Sequence, residues 1–200
     1  MGKIGRWLKR RSRMMWALTV LMWAIAAALL PVGAVELSDG STMFTSPPRL
    51  VSFVTTENVT NRKNATYYVT VNLLPEAGEA LKTLKVSLIE GRFTRLDYHT
   101  DEIEVFAGEQ GDRQRDYAVD FAEYAEDSQT LTVQLATAAD PGQHLTFALK
   151  PVRNPTRAGV YLFEVNAAPA GENPVFQRAG TGRLNIFEDP FVGLRVRLRE

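Results

Sequence analysis

The sequence predicts an all-β fold: an immunoglobulin-like sandwich of two antiparallel sheets with about seven to nine strands, preceded by an N-terminal signal helix. Three observations predict it. Apolar and polar residues alternate with period two in run after run; Pro, Gly, Asn and Asp punctuate those runs; and no helical repeat separates them. Consecutive strands without crossover helices pair antiparallel, and one such sheet buries its apolar face by packing on another.

The elements follow in chain order. Lys3, Arg6, Lys9, Arg10, Arg11 and Arg13 form a charged segment, residues 14–30 an apolar one, and Pro31 and Gly33 break it before a cut between Ala34 and Val35. Residues 1–34 therefore read as a signal peptide. The 17 apolar residues also sit at the lower edge of a membrane span, so an uncleaved anchor is the alternative. Arg10-Arg11 resembles a twin-arginine signal, but Arg13 stands where that signal expects an apolar side chain, which favours general secretion.

Strands are expected over 50–56, 67–73, 84–88, 102–106, 117–121, 131–135, 145–149, 160–165 and 183–187. In the second, Tyr67, Val69, Val71 and Leu73 alternate with Tyr68, Thr70 and Asn72; in the seventh, Leu145, Phe147 and Leu149 alternate with Thr146 and Ala148. Turns are expected at Pro47-Pro48, 75–78, 108–111, 140–142, Asn154-Pro155 and Ala170-Gly171. A turn or two of helix is expected within 76–84, and 192–199 alternates apolar and Arg positions like an edge strand or a tail.

Composition bounds the function. The chain has no cysteine, so residues 35–200, a single domain, rely on core packing without disulfides, thiolate metal sites or a cysteine nucleophile. All six basic residues named above precede the cut, which leaves 17 basic against 23 acidic residues in the mature chain. Nucleic acid, which needs concentrated positive charge, is an unsuitable partner. The expected setting is extracytoplasmic, periplasmic or secreted, with the membrane touched only through the N-terminal segment.

Two blocks of sequence carry a family resemblance. Residues 36–40, Phe44, 47–50 and 65–68 open the pattern; 150–155, 159–163, 168–172 and 182–184 close it. The chain resembles a family of exported cyanobacterial proteins, the domain-of-unknown-function family numbered 2808. That resemblance implies an extracytoplasmic β domain and brings no catalytic residues.

Candidate ligand-binding residues cluster in the second block. Lys150, Arg153, Asn154, Arg157 and Tyr161 lie in and beside a loop stiffened by Pro151 and Pro155. A preordered basic loop suits a carboxylate or sulfate, because Arg offers a planar fork and little entropy is lost on binding. A competing reading leaves these charges solvated or paired with acids such as Glu164. Arg178 and Arg183, near Gly180 and Gly182, read as flanks of a bulged strand. Aromatic pairs give a binding surface further support: Tyr67 with Tyr68, and Tyr161 and Phe163 with Leu162, are each expected to show one ring outside.

Two other classes are weighed. Asp97, His99, Asp101, Glu102 and Glu104 could hold a cation, but their spacing fits no calcium loop, and His144 reads as an ordinary surface histidine. Glu123, Glu126 and Asp127 could do acid–base work on a glycan. No nucleophile elbow, phosphate loop or zinc helix is present. Asn58 and Asn64 head Asn-x-Thr triplets that mark exposed, turn-rich backbone. The reading is a non-catalytic envelope or extracellular module that contacts protein or glycan and uses no cofactor; metal binding, then glycan hydrolysis, are the alternatives.

Overall fold

In the computed structural model, residues 40–91 and 95–190 are described. The signal segment with its cut at Ala34 and Val35, and the alternating stretch 192–199, lie outside them. Twelve strands occur among the described residues: β1 (Ser41–Thr42), β2 (Arg49–Thr55), β3 (Tyr67–Leu73), β4 (Leu81–Glu90), β5 (Glu104–Ala107), β6 (Asp116–Tyr117), β7 (Val119–Ala125), β8 (Thr130–Ala139), β9 (Gln143–Leu149), β10 (Gly159–Pro169), β11 (Asn173–Pro174) and β12 (Gln177–Ile186). Among the described residues no helix is long and apolar enough to cross a membrane.

Ten strands form two five-stranded sheets, ordered β2-β3-β9-β5-β6 and β12-β10-β4-β8-β7. Pairing within both is antiparallel. The order β2-β3-β9-β5 matches A-B-E-D, and β12-β10-β4 matches G-F-C, of an immunoglobulin-like sandwich. The β7–β8 hairpin adds two strands beyond β4. A short parallel pair, β1 with β11, lies apart from both sheets.

Period-two patterning builds the core. Val69, Val71, Leu73, Leu84, Leu131, Val133, Leu145, Phe147 and Val165 are all buried. Burying each Val, Leu or Phe side chain is worth roughly 1.5–3 kcal/mol. Phe53 stacks on Phe163 at 4.8 Å between ring centroids, and Tyr67 meets Phe163 edge-on at 6.1 Å. At the sandwich edge β2 runs beside β12. A Cβ on Gly180 would lie 2.8 Å from Leu50 Cβ, and one on Gly182 would lie 2.6 Å from Phe53 Cβ. The glycines beside Arg178 and Arg183 thus let two strands cross closely, and β12 is the bulged strand: Val165 pairs with Gly180 and Asn166 with Arg178, which leaves Ala179 as the extra residue.

Several expectations change. The count of seven to nine strands falls short, because the run 117–121 divides at Ala118 into β6 and β7 in different sheets, and β1 and β11 are too short to leave a pattern. The helix expected within 76–84 is only a 3-10 turn at Pro75–Ala77: Gly78 ends it at φ 79°, and Leu81 already begins β4. Glu102 closes another 3-10 turn, Thr100–Glu102, ahead of β5. Thr70, Thr146 and Ala148, on the more polar face of their strands, are buried as well. The two threonine hydroxyls hydrogen-bond at 2.9 Å, and Thr146 Oγ1 donates to the Gly108 carbonyl at 2.7 Å. Nearby, the Arg113 guanidinium lies over Phe106 at 4.8 Å and bridges Asp116 and Glu104.

Candidate functional site

The antiparallel register decides which loops meet. Tyr67, the first residue of β3, pairs with Leu149, the last of β9. The chain entering β3 therefore converges with the chain leaving β9. Beyond β9 the backbone keeps pairing: Tyr98 bridges Pro151, the His99 amide donates to the Lys150 carbonyl at 2.9 Å, and the Val152 amide donates to the Asp97 carbonyl at 2.8 Å. Three segments of distant sequence thus share one end of the sandwich.

Asn154 ties this end together. Its amide donates to the Arg62 carbonyl at 2.7 Å, and its side-chain Nδ2 donates to the Glu57 and Val59 carbonyls at 2.8 and 2.9 Å. Its Oδ1 accepts the Tyr67 hydroxyl at 2.8 Å. Both side-chain donor hydrogens and the side-chain oxygen of a buried Asn are therefore used, the condition under which a buried polar group stabilises instead of costing. Burial, reinforced by Tyr161, holds the Tyr67 phenol neutral by pushing its pKa well above the ordinary value.

Around that knot lies a concavity of about 560 Å³. Lys63, Lys150 and Arg153 contribute positive charge to its lining, Glu102 a carboxylate, and His99 and Asn64 further polar groups. Lys150 Nζ is anchored by donating to Thr66 Oγ1 at 2.9 Å, while Lys63 and Arg153 are exposed. Pro151, Val152 and Ala65 give it an apolar part. Three cationic side chains, one of them anchored, against one carboxylate give the lining a positive balance of charge.

The five residues expected to bind a ligand divide into three groups. Lys150 and Arg153 line the basic pocket. Arg157 lines a separate concavity of about 510 Å³ with Thr60, Asn61, Glu188 and Asp189. Asn154 and Tyr161 are buried. Correcting the expectation for Tyr161, β10 points both Tyr161 and Phe163 into the core, and the Tyr161 hydroxyl donates to the Arg157 carbonyl at 2.7 Å. The residue between them that reaches the surface is Leu162, not an aromatic ring, because residues two apart in a strand share a face. Tyr68 is the half-buried member of its pair. Glu164 pairs with Arg178 at 3.4 Å, leaving the basic loop without it.

The other candidates disperse. Among the described residues no group of three or more His, Asp or Glu side chains gathers as a metal site. Glu104 turns to Arg113, and Asp97 accepts the Tyr98 amide at 2.8 Å, whereas His99 and Glu102 line the basic pocket. His144 Nδ1 meets Glu109 at 3.2 Å. Glu123, Glu126 and Asp127 stand exposed along β7 and the turn after it, with Glu126 3.4 Å from Arg95.

Sequence reading missed Lys63 and Asn64 as partners of the basic loop and placed His99 and Glu102 in another role. The usable signal was the pairing of 67–73 with 145–149, which sets the residues before Tyr67 beside those after Leu149.

Fold and site define a class: an immunoglobulin-like β-sandwich with a polar, cation-rich pocket at one end. The chain belongs to the family described as "Protein of unknown function (DUF2808)", whose model matches residues 41–186. No curated protein sequence matches it. Among solved structures it is similar to BslA, a bacterial hydrophobin, at 16% identity and a TM-score of 0.40, covering 72% of this chain and 96% of that one. A collagen-binding domain from a Staphylococcus aureus adhesin matches at 9% identity and a TM-score of 0.36, covering 68% and 97%. A cohesin module from a Clostridium perfringens family 33 glycoside hydrolase matches at 10% and 0.37, covering 72% and 100%.

Proposed function

We propose that this chain is an exported, non-catalytic binding module of the cell envelope or extracellular space, which holds an anionic group of a protein or glycan among Lys63, Lys150 and Arg153. One observation carries the reading: two loops distant in sequence bring these cations to a single concavity that Glu102, from a third segment, only partly neutralises. Asn154 preorganises two of the loops, so little ordering entropy opposes binding. The charged and apolar segments of residues 1–34 support export, either as a cleaved signal or as a membrane anchor.

The test is retention on envelope material from the native cells. Arg153→Ala and Lys63→Ala are expected to weaken retention at unchanged melting temperature, and Arg157→Ala to leave it intact. Equal retention by all four proteins would contradict the assignment.

A further inference from the structure

Resting on that anionic-ligand reading of the pocket, we infer that the ligand is an acidic glycan, a sugar bearing a carboxylate or sulfate, and not an acidic peptide. Glu102 is the first reason. An ionised carboxylate only accepts hydrogen bonds, so a ligand that seats an anion on Lys63, Lys150 and Arg153 must present donors to the Glu102 side of the same concavity. A uronate or sulfated sugar does so within one ring, because hydroxyl groups flank its anionic substituent. Asn64, able to donate and accept, complements such hydroxyls, and Pro151 and Val152 offer an apolar face to the ring's C–H groups.

The topology supplies the second reason. Extended peptides are commonly held by adding a strand to an open sheet edge. At this end the strands that frame the pocket are interior: β3 lies between β2 and β9, and β9 lies between β3 and β5. Their ladders are already complete, so a peptide finds no backbone edge there. The size agrees as well. A concavity of about 560 Å³ falls within the range of roughly 300–1,000 Å³ typical of small-ligand pockets.

Calorimetric titration of the full chain in detergent micelles tests this, with oligogalacturonate, dextran sulfate, poly-glutamate and neutral dextran as probes. Binding of oligogalacturonate or dextran sulfate, weakened at least about tenfold by Arg153→Ala, is expected. The decisive variant is Glu102→Gln. Removing its negative charge would tighten any purely electrostatic complex with an anion, whereas loss of a charged acceptor for sugar hydroxyls weakens a glycan complex. Weaker binding of the acidic sugar by Glu102→Gln supports the inference; tighter binding overturns it. Poly-glutamate binding as tightly as either acidic glycan, and depending on Arg153, overturns the glycan assignment while leaving an anionic ligand in place. No binding of any probe, together with envelope retention indifferent to Arg153→Ala, overturns both.

Discussion

Asn154→Ala removes the side chain that joins the loop before β3 to the loop after β9. Three hydrogen bonds go with it: two donated to Glu57 and Val59 carbonyls and one accepted from Tyr67. The Tyr67 hydroxyl belongs to a ring with no exposed surface, so it is left without a partner in the core, at about 1–3 kcal/mol. Glu57 is exposed and Val59 half-buried, so water reaches these carbonyls more readily, and each lost bond there costs about 0.5–1.5 kcal/mol. The expected total is about 2–6 kcal/mol. Urea unfolding followed by fluorescence reads it as a lower midpoint at unchanged slope, and a thermal melt reads a fall of about 4–24 °C. A double-mutant cycle with Tyr67→Phe isolates the buried contact, with an expected coupling of about 1–3 kcal/mol. A loss below about 1 kcal/mol for Asn154→Ala, or additive effects of the two substitutions, would refute the idea that this side chain fastens the pocket's loops.

Gly182→Ala sets a methyl group against Phe53 where β2 crosses β12, and a cost of about 1–3 kcal/mol is expected in thermal melts. An unchanged melt would mean that the crossing has room to spare. Arg153→Glu is expected to abolish envelope retention, and Arg157→Glu to leave it unchanged, because the two side chains line different concavities. Burial raises the pKa of Tyr67 and Tyr98 in the folded protein, so both phenols stay neutral after the unfolded chain ionises near pH 10. That contribution is complete below about pH 10 and is lost as pH rises further, at about 1.4 kcal/mol per phenol per pH unit. Urea midpoints measured from pH 8 to 11 are expected to fall above pH 10, less steeply in Tyr67→Phe.

Fold and site were unequally legible in the sequence. Period-two alternation located the sandwich strands because one face of each must meet an apolar core, as Val69, Val71, Leu131, Val133 and Phe147 show. Alternation alone does not count strands: Ala118 marks no turn in the sequence, yet the chain passes from one sheet to the other there. It also cannot tell an open outer face from a covered one: Thr70 and Thr146 stand on the more polar face, yet both are buried. For the site, the stiff loop with Lys150 and Arg153 stood out through its prolines and charges. The rest of the pocket depends on register. Lys63 and Arg153 are neighbours only because Tyr67 pairs with Leu149, and Asn154 looked like a turn residue because its four partners lie in other segments.

The most direct measurement is amide shift mapping of the isotopically labelled chain during titration with an acidic glycan fraction from the native envelope. A module that binds through the basic pocket shows saturable changes over 61–66, 98–102 and 150–154, and these disappear in Arg153→Ala. Changes confined to the opposite end of the sheet, around Gly108 and His144, or persisting in Arg153→Ala, would contradict the assignment.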